Sequence, residues 1–351
     1  MDLVKNVIPN LQIEIKEDEI QNGALEILKV IRPNWNEKLI TFKLLTDGIT
    51  NKLVACKPEG VEEQETVLVR IYGNKTDLII DRKAETRNII LLNKAGIAPN
   101  LYATFKNGLA YRFLPGNTLT CETVKDPVIY RLVAKQMALL HKIKPDEESD
   151  SPFIWNKLRK FLDLVPEVFC DPEKHRRYLK DFVPKSKLEE EVKQLREVVE
   201  KLNSPIVFAH NDLLLGNVIH NEKENKVTFI DYEYAALNYQ AFDIANHFNE
   251  FVGISEDLDY DTKFPNKEFQ QSWIRTYLTE FNGTEPTNKE VETLYVNVSK
   301  CTLLSHLFWG VWALVQAEYS SINFDYIGYG AMRLNEYFKR KDIFLRLNSP
   351  S

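Results

Sequence analysis

Two aspartates and one asparagine near the middle of the chain could together bind a divalent cation. Asp212 lies in the polar loop His210-Asn211-Asp212, which follows a short apolar stretch that is typical of a strand. Asn217 and Asp231 lie at the two ends of a predicted hairpin, whose β-branched strands flank a polar turn. Because a short hairpin brings its ends together, the three side chains should converge. Two carboxylates and an amide oxygen suit Mg²⁺ with part of its shell left for phosphate oxygens.

Each of these residues alone could equally be a turn former, because Asp and Asn are common in loops. Their joint pattern is more specific: H-x-D-x4-N is followed by an apolar strand that ends in D-x-E at Asp231. The same order of catalytic loop and metal-binding strand is found in kinase-like phosphotransferases. The pattern therefore predicts a phosphoryl-transfer site.

The composition excludes several other classes of protein. A chain of 351 residues has room for two domains or two lobes, and its hydrophobic fraction of 44% excludes general disorder. The net charge of −6, without a basic stripe, argues against nucleic acid as a partner. The four cysteines (Cys56, Cys121, Cys170 and Cys301) show no paired spacing, which favours free thiols in a reducing compartment.

Nothing in the sequence requires the chain to enter a membrane. The first residues have no apolar core of secretory type. The segment from Cys301 to Ala317 is strongly apolar, but it is short for a membrane span and contains Ser305, His306 and Gln316. We expect a buried core helix there, no integral membrane segment, and a soluble cytoplasmic protein.

The first third of the chain reads as a β-rich unit that could bind phosphate. Thr46 to Lys52 form a glycine-containing turn between two predicted strands, which fits a phosphate-covering loop or a plain hairpin turn. The strand Val67 to Tyr72 carries Arg70, and the helix Arg82 to Ala95 carries Glu85 in its first turn. Arg70 is either a solvated edge residue or a phosphate contact held by Glu85, as a lysine–glutamate pair is in protein kinases.

Strand patterns give way to helical patterns near residues 112–118, so we expect the lobe boundary and an adenine-binding connector there. In the second lobe, Asp243 and Glu250 are seven residues apart and should share a helix face with His247 between them. His141, a single histidine at a helix end, is interpreted as structural. The pairs Trp309/Trp312 and Tyr326/Tyr329 have a spacing that more often indicates core packing than a ligand site.

Five segments of the chain resemble the choline/ethanolamine kinase family, and the resemblance extends from about Leu39 to Lys339. The DLL form of the central motif is closest to the ethanolamine branch of that family. The segments are VRIYGNKTDLIIDRKAETRN, APNLYATFKNGLAYRF, HNDLLLGNVI, FIDYEYAALNYQAFDIANHFNEF and HLFWGVWALVQAEYSSINFDYIGY.

The resemblance implies an α+β, two-lobed, protein-kinase-like fold. Its β-rich lobe, residues 1–114, would bind ATP, and its mostly helical lobe, residues 115–351, would bind a small amino alcohol. The implied reaction is phosphorylation of the ethanolamine hydroxyl with ATP and Mg²⁺, the first step of phosphatidylethanolamine synthesis by the CDP-ethanolamine route. By position, Asp212 would be the catalytic base, and Asn217 and Asp231 the metal ligands.

The resemblance also assigns residues to the two substrates. Cations are attracted to aromatic faces by about 0.5–2 kcal/mol, which favours a head-group pocket at the aromatic pairs. The implied nucleotide-binding residues are Thr46, Asp47, Gly48, Ile49, Thr50, Asn51, Lys52, Arg70, Glu85, Arg112, Phe113 and Leu114. The implied amino-alcohol-binding residues are Tyr234, Asp243, Glu250, Trp309, Trp312, Tyr326 and Tyr329.

Several alternatives stay open at this point. Leu214 stands where choline kinases usually have Gln, which favours ethanolamine, but a choline kinase or a dual-specificity kinase remains an alternative. An inactive kinase-fold binding module is a second, different class. An aminoglycoside phosphotransferase would not need the two tryptophans, and a protein kinase would need a DFG segment, which is absent. A homodimer is compatible with the resemblance.

Overall fold

The computed structural model describes residues 8–16, 18–45, 51–72, 80–145, 151–253, 259–320 and 322–350, with Asn51 described by its backbone alone. The chain divides into two compact units, Met1–Asn117 and Thr118–Ser351. The division falls within the range 112–118, where the change in composition predicts a lobe boundary.

The first unit is built on one six-stranded sheet. Its strands run in the spatial order β1-β5-β6-β4-β3-β2, where β1 pairs with β5 in parallel and all other pairs are antiparallel. The strands are β1 Asn10–Leu11, β2 Ile40–Leu45, β3 Asn51–Pro58, β4 Val67–Tyr72, β5 Leu101–Phe105 and β6 Gly108–Arg112. The predicted strand that carries Arg70 is therefore an inner strand, between β6 and β3, and not a solvated edge.

Two helices accompany this sheet, α1 (Ile20–Ile31) and α2 (Arg82–Lys94). The buried face of α1 contributes Ala24, Ile27 and Leu28 to a core cluster with side chains of β3, β4, β5 and β6. The start of α2 is fixed by Asp81, whose carboxylate accepts hydrogen bonds from the N–H groups of the first turn. That cap places Glu85 in the same first turn, and its side chain is completely buried.

The second unit is mostly helical. Its helices are α3 Pro127–His141, α4 Phe153–Leu164, α5 Pro172–Asp181, α6 Lys185–Glu200, α7 Gln240–Asn249, α8 Tyr260–Lys263, α9 Lys267–Asn282, α10 Asn288–Tyr319 and α11 Tyr326–Leu345. The strands beyond β6 are β7 Asn117–Thr118, β8 Ile206–Ala209, β9 Val218–Asn221, β10 Lys226–Phe229 and β11 Ala236–Tyr239.

Helix α10 is the centre of the second unit's core. It is the one helix in the described part of the chain that is long and apolar enough to cross a membrane, and 94% of its most apolar window is buried inside the protein. Gly310 of α10 and Gly330 of α11 allow a close crossing, since a Cβ at Gly310 would lie 2.8 Å from Cγ of Leu334. The segment predicted to be a buried core helix is therefore one.

The predicted hairpin is formed by β9 and β10, which pair antiparallel with Val218 opposite Phe229. A second antiparallel pair joins β8 to β11, with Ala209 opposite Ala236. The pattern did not predict β11, because its four residues lead directly into the helical pattern of α7. The loops that leave these two strand pairs carry Asp212, Asn217 and Asp231.

Candidate active site

Asp212 lies in the loop after β8, and its backbone is held by the completely buried Asn211. The φ angle of Asn211 is +65°, in the left-handed region that asparagine adopts more readily than most residues. The Asn211 side chain donates a hydrogen bond to the carbonyl oxygen of Tyr234 (2.9 Å) and accepts one from Nδ2 of Asn238 (2.7 Å). The loop is thereby attached to β11 and the residues before it.

Asp243, in the first turn of α7, uses both carboxylate oxygens to hold the same loop. Oδ1 accepts a hydrogen bond from the backbone N–H of Asn211 (2.7 Å), and Oδ2 accepts one from that of His210 (2.8 Å). Oδ2 also lies 2.9 Å from Nε2 of the buried His141, whose Nδ1 lies 2.7 Å from the Tyr277 hydroxyl. The interpretation of His141 as structural agrees with these contacts.

These contacts give Asp243 a role other than the predicted binding of the amino alcohol. Its side chain is completely buried, and its two oxygens already accept three hydrogen bonds from the protein. Burial by itself raises the pKa of Asp243, but the hydrogen bond and charge of His141 outweigh it and hold the pKa below its ordinary value. Asp243 is an ionised anchor of the loop.

The side chain of Asp212 lies in an environment that disfavours its negative charge. Burial, followed by the charges of Asp231, Glu250 and Glu233, raises the pKa of Asp212 well above its ordinary value. A carboxylate with a raised pKa accepts a proton more readily, as a general base must. The negative charges of these carboxylates also favour the binding of a cation near Asp212.

The hairpin brings Asn217 and Asp231 to the same end, as predicted. The backbone N–H of Ile230 donates to the carbonyl oxygen of Asn217 (3.0 Å), and Nδ2 of Asn217 donates to that of Asp212 (2.9 Å). Since the Asn217 amide nitrogen points to the loop, its oxygen is turned away and can serve as a ligand. Asp231 has a φ angle of +64°, a conformation that is unusual for aspartate and often associated with functional sites.

Glu233 is a third oxygen donor that the sequence prediction did not assign. Its ligand atom lies within 4.8 Å of that of Asp231. The D-x-E spacing of the motif was the signal that could have identified it. Carboxylate and amide oxygens are the ligands Mg²⁺ prefers, so Asn217, Asp231 and Glu233 fit that ion.

His210 supports the loop through both nitrogens of its ring. Its Nε2 donates to the carbonyl oxygen of Ile230 (2.9 Å), and its Nδ1 accepts from the backbone N–H of Asp212 (3.3 Å). Burial lowers the pKa of His210, which keeps the ring neutral. His247, on α7, donates in the same way to the carbonyl oxygen of Leu213 (3.0 Å).

The predicted aromatic residues do come together, on α10, α11 and the loop before β11. Ring centroids are 5.3 Å apart for Trp309 and Trp312, 5.8 Å for Trp312 and Tyr326, and 6.4 Å for Trp312 and Tyr329. Tyr234 lies 5.3 Å from Trp309 and accepts a hydrogen bond from Nε1 of Trp312 (2.9 Å). With Glu250, these side chains are called the head-group cluster: Tyr234, Glu250, Trp309, Trp312, Tyr326 and Tyr329.

The head-group cluster and Asp212 are close enough to interact electrostatically. Burial raises the pKa of Tyr234 well above its ordinary value, and the charges of Glu233 and Asp212 add to this effect. Burial also raises the pKa of Tyr329, with further contributions from Glu250 and Asp212. The loop of the candidate base is also bonded to this cluster, because the Asn211 side chain donates to the carbonyl oxygen of Tyr234 (2.9 Å).

Glu250 is not a free carboxylate, which qualifies its predicted role. Its Oε1 lies 2.9 Å from Nη1 of Arg333, and both side chains are buried. The same Nη1 donates to the hydroxyl of Tyr329 (3.0 Å), and Nη2 donates to Ser305 (2.9 Å). The sequence prediction missed Arg333, although it lies one helical turn after Tyr329 and so on the same face of α11.

In the first unit, Arg70 and Glu85 form the predicted pair. Nη1 of Arg70 donates to Oε1 of Glu85 (3.0 Å), and Nη1 of Arg82 donates to Oε2 (2.9 Å). The guanidinium of Arg82 also lies 3.9 Å from the ring centroid of Tyr72. The carboxylate of Glu85 thus orients two arginines, of which the sequence prediction named one.

The structure describes only some of the other predicted nucleotide-binding residues. Thr46, Asp47, Gly48, Ile49 and Thr50 lie outside the described residues. Lys52 is an exposed residue of β3, opposite Ile71. In the connector, the N–H groups of Arg112 and Phe113 donate to the carbonyl oxygens of Asn100 (2.8 Å) and Thr66 (3.0 Å). These two N–H groups have partners within the first unit, and adenine binding at Arg112, Phe113 and Leu114 stays a prediction.

The mostly helical second unit carries a candidate base and a set of oxygen ligands. The β-rich first unit carries a buried arginine–glutamate pair. These features define a kinase-like phosphotransferase. The sequence model of choline/ethanolamine kinases matches residues 42–338. The chain belongs to the choline/ethanolamine kinase family and has its protein-kinase-like fold.

Individual relatives agree with this assignment. The ethanolamine kinase of Drosophila melanogaster is 44% identical over 98% of this chain and 81% of its own length. A Plasmodium vivax ethanolamine kinase structure is similar with a TM-score of 0.80 and 29% identity, over 95% of this chain and 92% of that one. A Cryptosporidium parvum choline kinase structure has a TM-score of 0.76 and 27% identity, over 93% and 96%.

Proposed function

We propose that the protein transfers the γ-phosphoryl group of ATP to the hydroxyl of ethanolamine and forms phosphoethanolamine. The observation that supports this proposal most directly is that the loop of Asp212 is bonded to Asn217 and, through Asn211, to Tyr234 of the head-group cluster. The 44% identity to an ethanolamine kinase favours ethanolamine as the amino alcohol. We further propose that the enzyme works in the cytoplasm and catalyses the first step of phosphatidylethanolamine synthesis, and a homodimer is compatible with this role.

Asp212 has two tasks in the proposed reaction. It orients the ethanolamine hydroxyl and accepts its proton as the hydroxyl oxygen bonds to the γ-phosphorus, while the bond from phosphorus to the β,γ-bridging oxygen breaks and ADP leaves. The raised pKa of Asp212 favours this proton transfer. Asn217, Asp231 and Glu233 would hold Mg²⁺, which neutralises phosphate charge when bound.

The head-group cluster would bind the ammonium end of the substrate. Aromatic faces attract the cation, and the carboxylate of Glu250 would share its charge between Arg333 and the ammonium. Asp243 has no part in this contact, because its oxygens hold the loop. In the first unit, Arg70, oriented by Glu85, and the residues from Thr46 to Lys52 would contact the ATP phosphates, and residues 112–114 would contact adenine.

A choline kinase, or a kinase that accepts both alcohols, is the second candidate. The aromatic residues of the head-group cluster favour it, because a quaternary ammonium ion binds to such faces without needing hydrogen-bond acceptors. Leu214 favours ethanolamine, since the choline branch usually has Gln at that position. An inactive binding module is a poorer explanation, since Asp212, Asn217 and Asp231 are all present.

A coupled assay for ADP release tests the proposal. Purified protein with Mg-ATP is given ethanolamine, choline or no acceptor, and kcat/KM should be highest for ethanolamine. A higher value for choline would make the second candidate correct, and ADP release that no acceptor stimulates would reject both. Leu214→Gln should shift the ratio of the two kcat/KM values toward choline, whereas Leu179→Gln, an exposed leucine of α5, should not.

A further inference from the structure

We propose that Asn246 is a positioning residue that couples the head-group cluster to Asp212. Asn246 lies on α7 and is completely buried, and nothing in the sequence prediction assigned it a role. Its side-chain amide makes hydrogen bonds to both the cluster and the loop that carries Asp212. The proposal rests on the amino-alcohol kinase activity proposed above.

Two donors on α10 converge on the amide oxygen of Asn246. Nε1 of Trp309 donates to Oδ1 of Asn246 at 2.7 Å, and Oγ of Ser305 donates to the same oxygen at 2.8 Å. Trp309 belongs to the head-group cluster, and its ring packs against those of Tyr234 and Trp312. A movement of the Trp309 ring therefore acts directly on the Asn246 amide.

The charged side of the cluster reaches the same amide through Ser305. Nη2 of Arg333 donates to Oγ of Ser305 at 2.9 Å, and Nη1 of Arg333 holds Glu250 and the hydroxyl of Tyr329. An ammonium ion that draws on the Glu250 carboxylate weakens its bond to Arg333. The aromatic and the charged contacts to a substrate thus both converge on Oδ1 of Asn246.

On its other side, Asn246 contacts the peptide that leads into Asp212. Nδ2 of Asn246 donates to the carbonyl oxygen of Asn211 at 3.3 Å. That carbonyl and the N–H of Asp212 belong to one planar peptide unit, so a force on the oxygen rotates the whole unit and redirects Asp212. The side chain and N–H of Asn211 are fixed by Tyr234, Asn238 and Asp243. The peptide plane itself is held at its N–H end by Nδ1 of His210 (3.3 Å) and at its carbonyl end by Asn246.

Hydrogen bonds in such a chain polarise one another, because an amide whose oxygen accepts two donors becomes a stronger donor through its nitrogen. Occupation of the head-group cluster should therefore tighten the long bond to Asn211 and orient Asp212 for the hydroxyl. The effect should appear in kcat, since the contacts that bind the ammonium ion do not include Asn246.

A double-mutant cycle on the full chain tests the coupling. Trp309→Phe removes the indole N–H but keeps an aromatic face, and it should lower kcat for ethanolamine about tenfold, the value of one hydrogen bond of ~1.4 kcal/mol. In an Asn246→Ala background, the same Trp309→Phe change should lower kcat by much less than tenfold. Trp312→Phe loses a hydrogen bond to Tyr234 instead, so its effect on kcat should be the same in both backgrounds.

Two further variants separate positioning from folding. Asn249→Ala is the matched control, because Asn249 is an equally buried asparagine of α7 that bonds to the carbonyl oxygen of Thr302 on α10. It should keep kcat within about threefold of the wild type. If Asn246→Ala does not fold, Asn246→Asp takes its place, because it keeps an acceptor for Trp309 and removes the donor to Asn211. Asn246→Asp should lower kcat as much as expected for Asn246→Ala, and the effect of Trp309→Phe on kcat should be reduced in the same way in its background.

The coupling is overturned if the losses from Trp309→Phe and Asn246→Ala multiply, or if Asn249→Ala lowers kcat as much as Asn246→Ala. A wild-type protein that phosphorylates neither ethanolamine nor choline would instead refute the proposed function, and the coupling with it. An active wild type with multiplying losses refutes the coupling alone.

Discussion

The carboxylate of Asp243 lies 2.7 Å from the backbone nitrogen of Asn211, so a helix residue holds the residue immediately before Asp212. Asp243 and Asp212 both belong to this part of the site, but their electrostatic environments are opposite. Hydrogen bonds keep Asp243 ionised, whereas burial and neighbouring carboxylates raise the pKa of Asp212. One acid stabilises the loop, and the other is prepared to accept a proton.

Asp243→Asn should destabilise the protein and lower its activity. The amide would present N–H groups to donors that now face a carboxylate, so the free energy of unfolding should fall by about 2–4 kcal/mol. Urea unfolding measures the loss, and kcat for ethanolamine should fall with it. Asp261→Asn, which affects an exposed pair with Lys339, should change stability by less than about 1 kcal/mol.

The contrary result would restore the original prediction for Asp243. An Asp243→Asn protein with wild-type stability and kcat, but a strongly raised KM for ethanolamine, would place this carboxylate in the substrate pocket.

Asp212→Asn should abolish most activity while making the metal-free protein more stable. Turnover should fall by about 10²–10⁴, the usual contribution of a general base. A neutral amide removes the repulsion with Asp231, Glu233 and Glu250, so Tm measured in a chelator should rise above that of the wild type. A lower Tm together with the lost activity would indicate that Asp212 supports the fold instead.

His247 should make stability depend on pH between about 4 and 6.5. Burial lowers the pKa of His247 to about 4, against about 6.5 in the unfolded chain. Between these values the unfolded state binds more protons, so the stability due to His247 is complete above pH 6.5 and is lost as the pH falls toward 4.

The variant His247→Asn isolates this contribution. Its amide can still donate to the carbonyl oxygen of Leu213, but it does not titrate. The free energy of unfolding, measured in urea from pH 4.5 to 7, should rise less steeply with pH than in the wild type, with a total difference of up to about 3 kcal/mol. Parallel pH profiles would contradict the assignment.

Glu85→Gln should disturb the first unit and raise KM for ATP. The substitution leaves Arg70, which is 5% exposed, and the half-buried Arg82 without the charge they share, at a cost of about 2–4 kcal/mol. KM for ethanolamine should change much less than KM for ATP. Glu173→Gln, in an exposed pair with Arg176, is the control and should alter neither quantity. Equal rises in both KM values would argue against a specific nucleotide role for the pair.

Local patterns predicted a large part of the fold. The strand Val67–Tyr72 was predicted to the residue and the helix Arg82–Lys94 to within one residue, because each has an apolar pattern and ends at residues that interrupt it. The hairpin of β9 and β10 forms between Asn217 and Asp231, as predicted, since β-branched strands flank a polar turn. These elements are decided by residues that are neighbours in the chain.

The strand β11 and the true role of Asp243 could not be predicted in this way. The four residues of β11 become a strand because β8 supplies hydrogen bonds from far earlier in the chain. The spacing of Asp243 and Glu250 suggested a shared binding face, but spacing does not show which groups lie opposite. The donors that take up the oxygens of Asp243 come from α3 and from the loop after β8.

The sequence by itself determined the chemistry: which residues could accept a proton, which could hold a magnesium ion, and which aromatic side chains could face a cation. The tertiary structure decided how these groups are divided between reaction and support. In the tertiary structure, Glu250 forms an ion pair with Arg333, and Asp243 accepts a hydrogen bond from the backbone of Asn211. Asn246 forms hydrogen bonds with both Trp309 and Asn211. The physical reason is that hydrogen bonds between buried groups depend on which helices and loops meet in space.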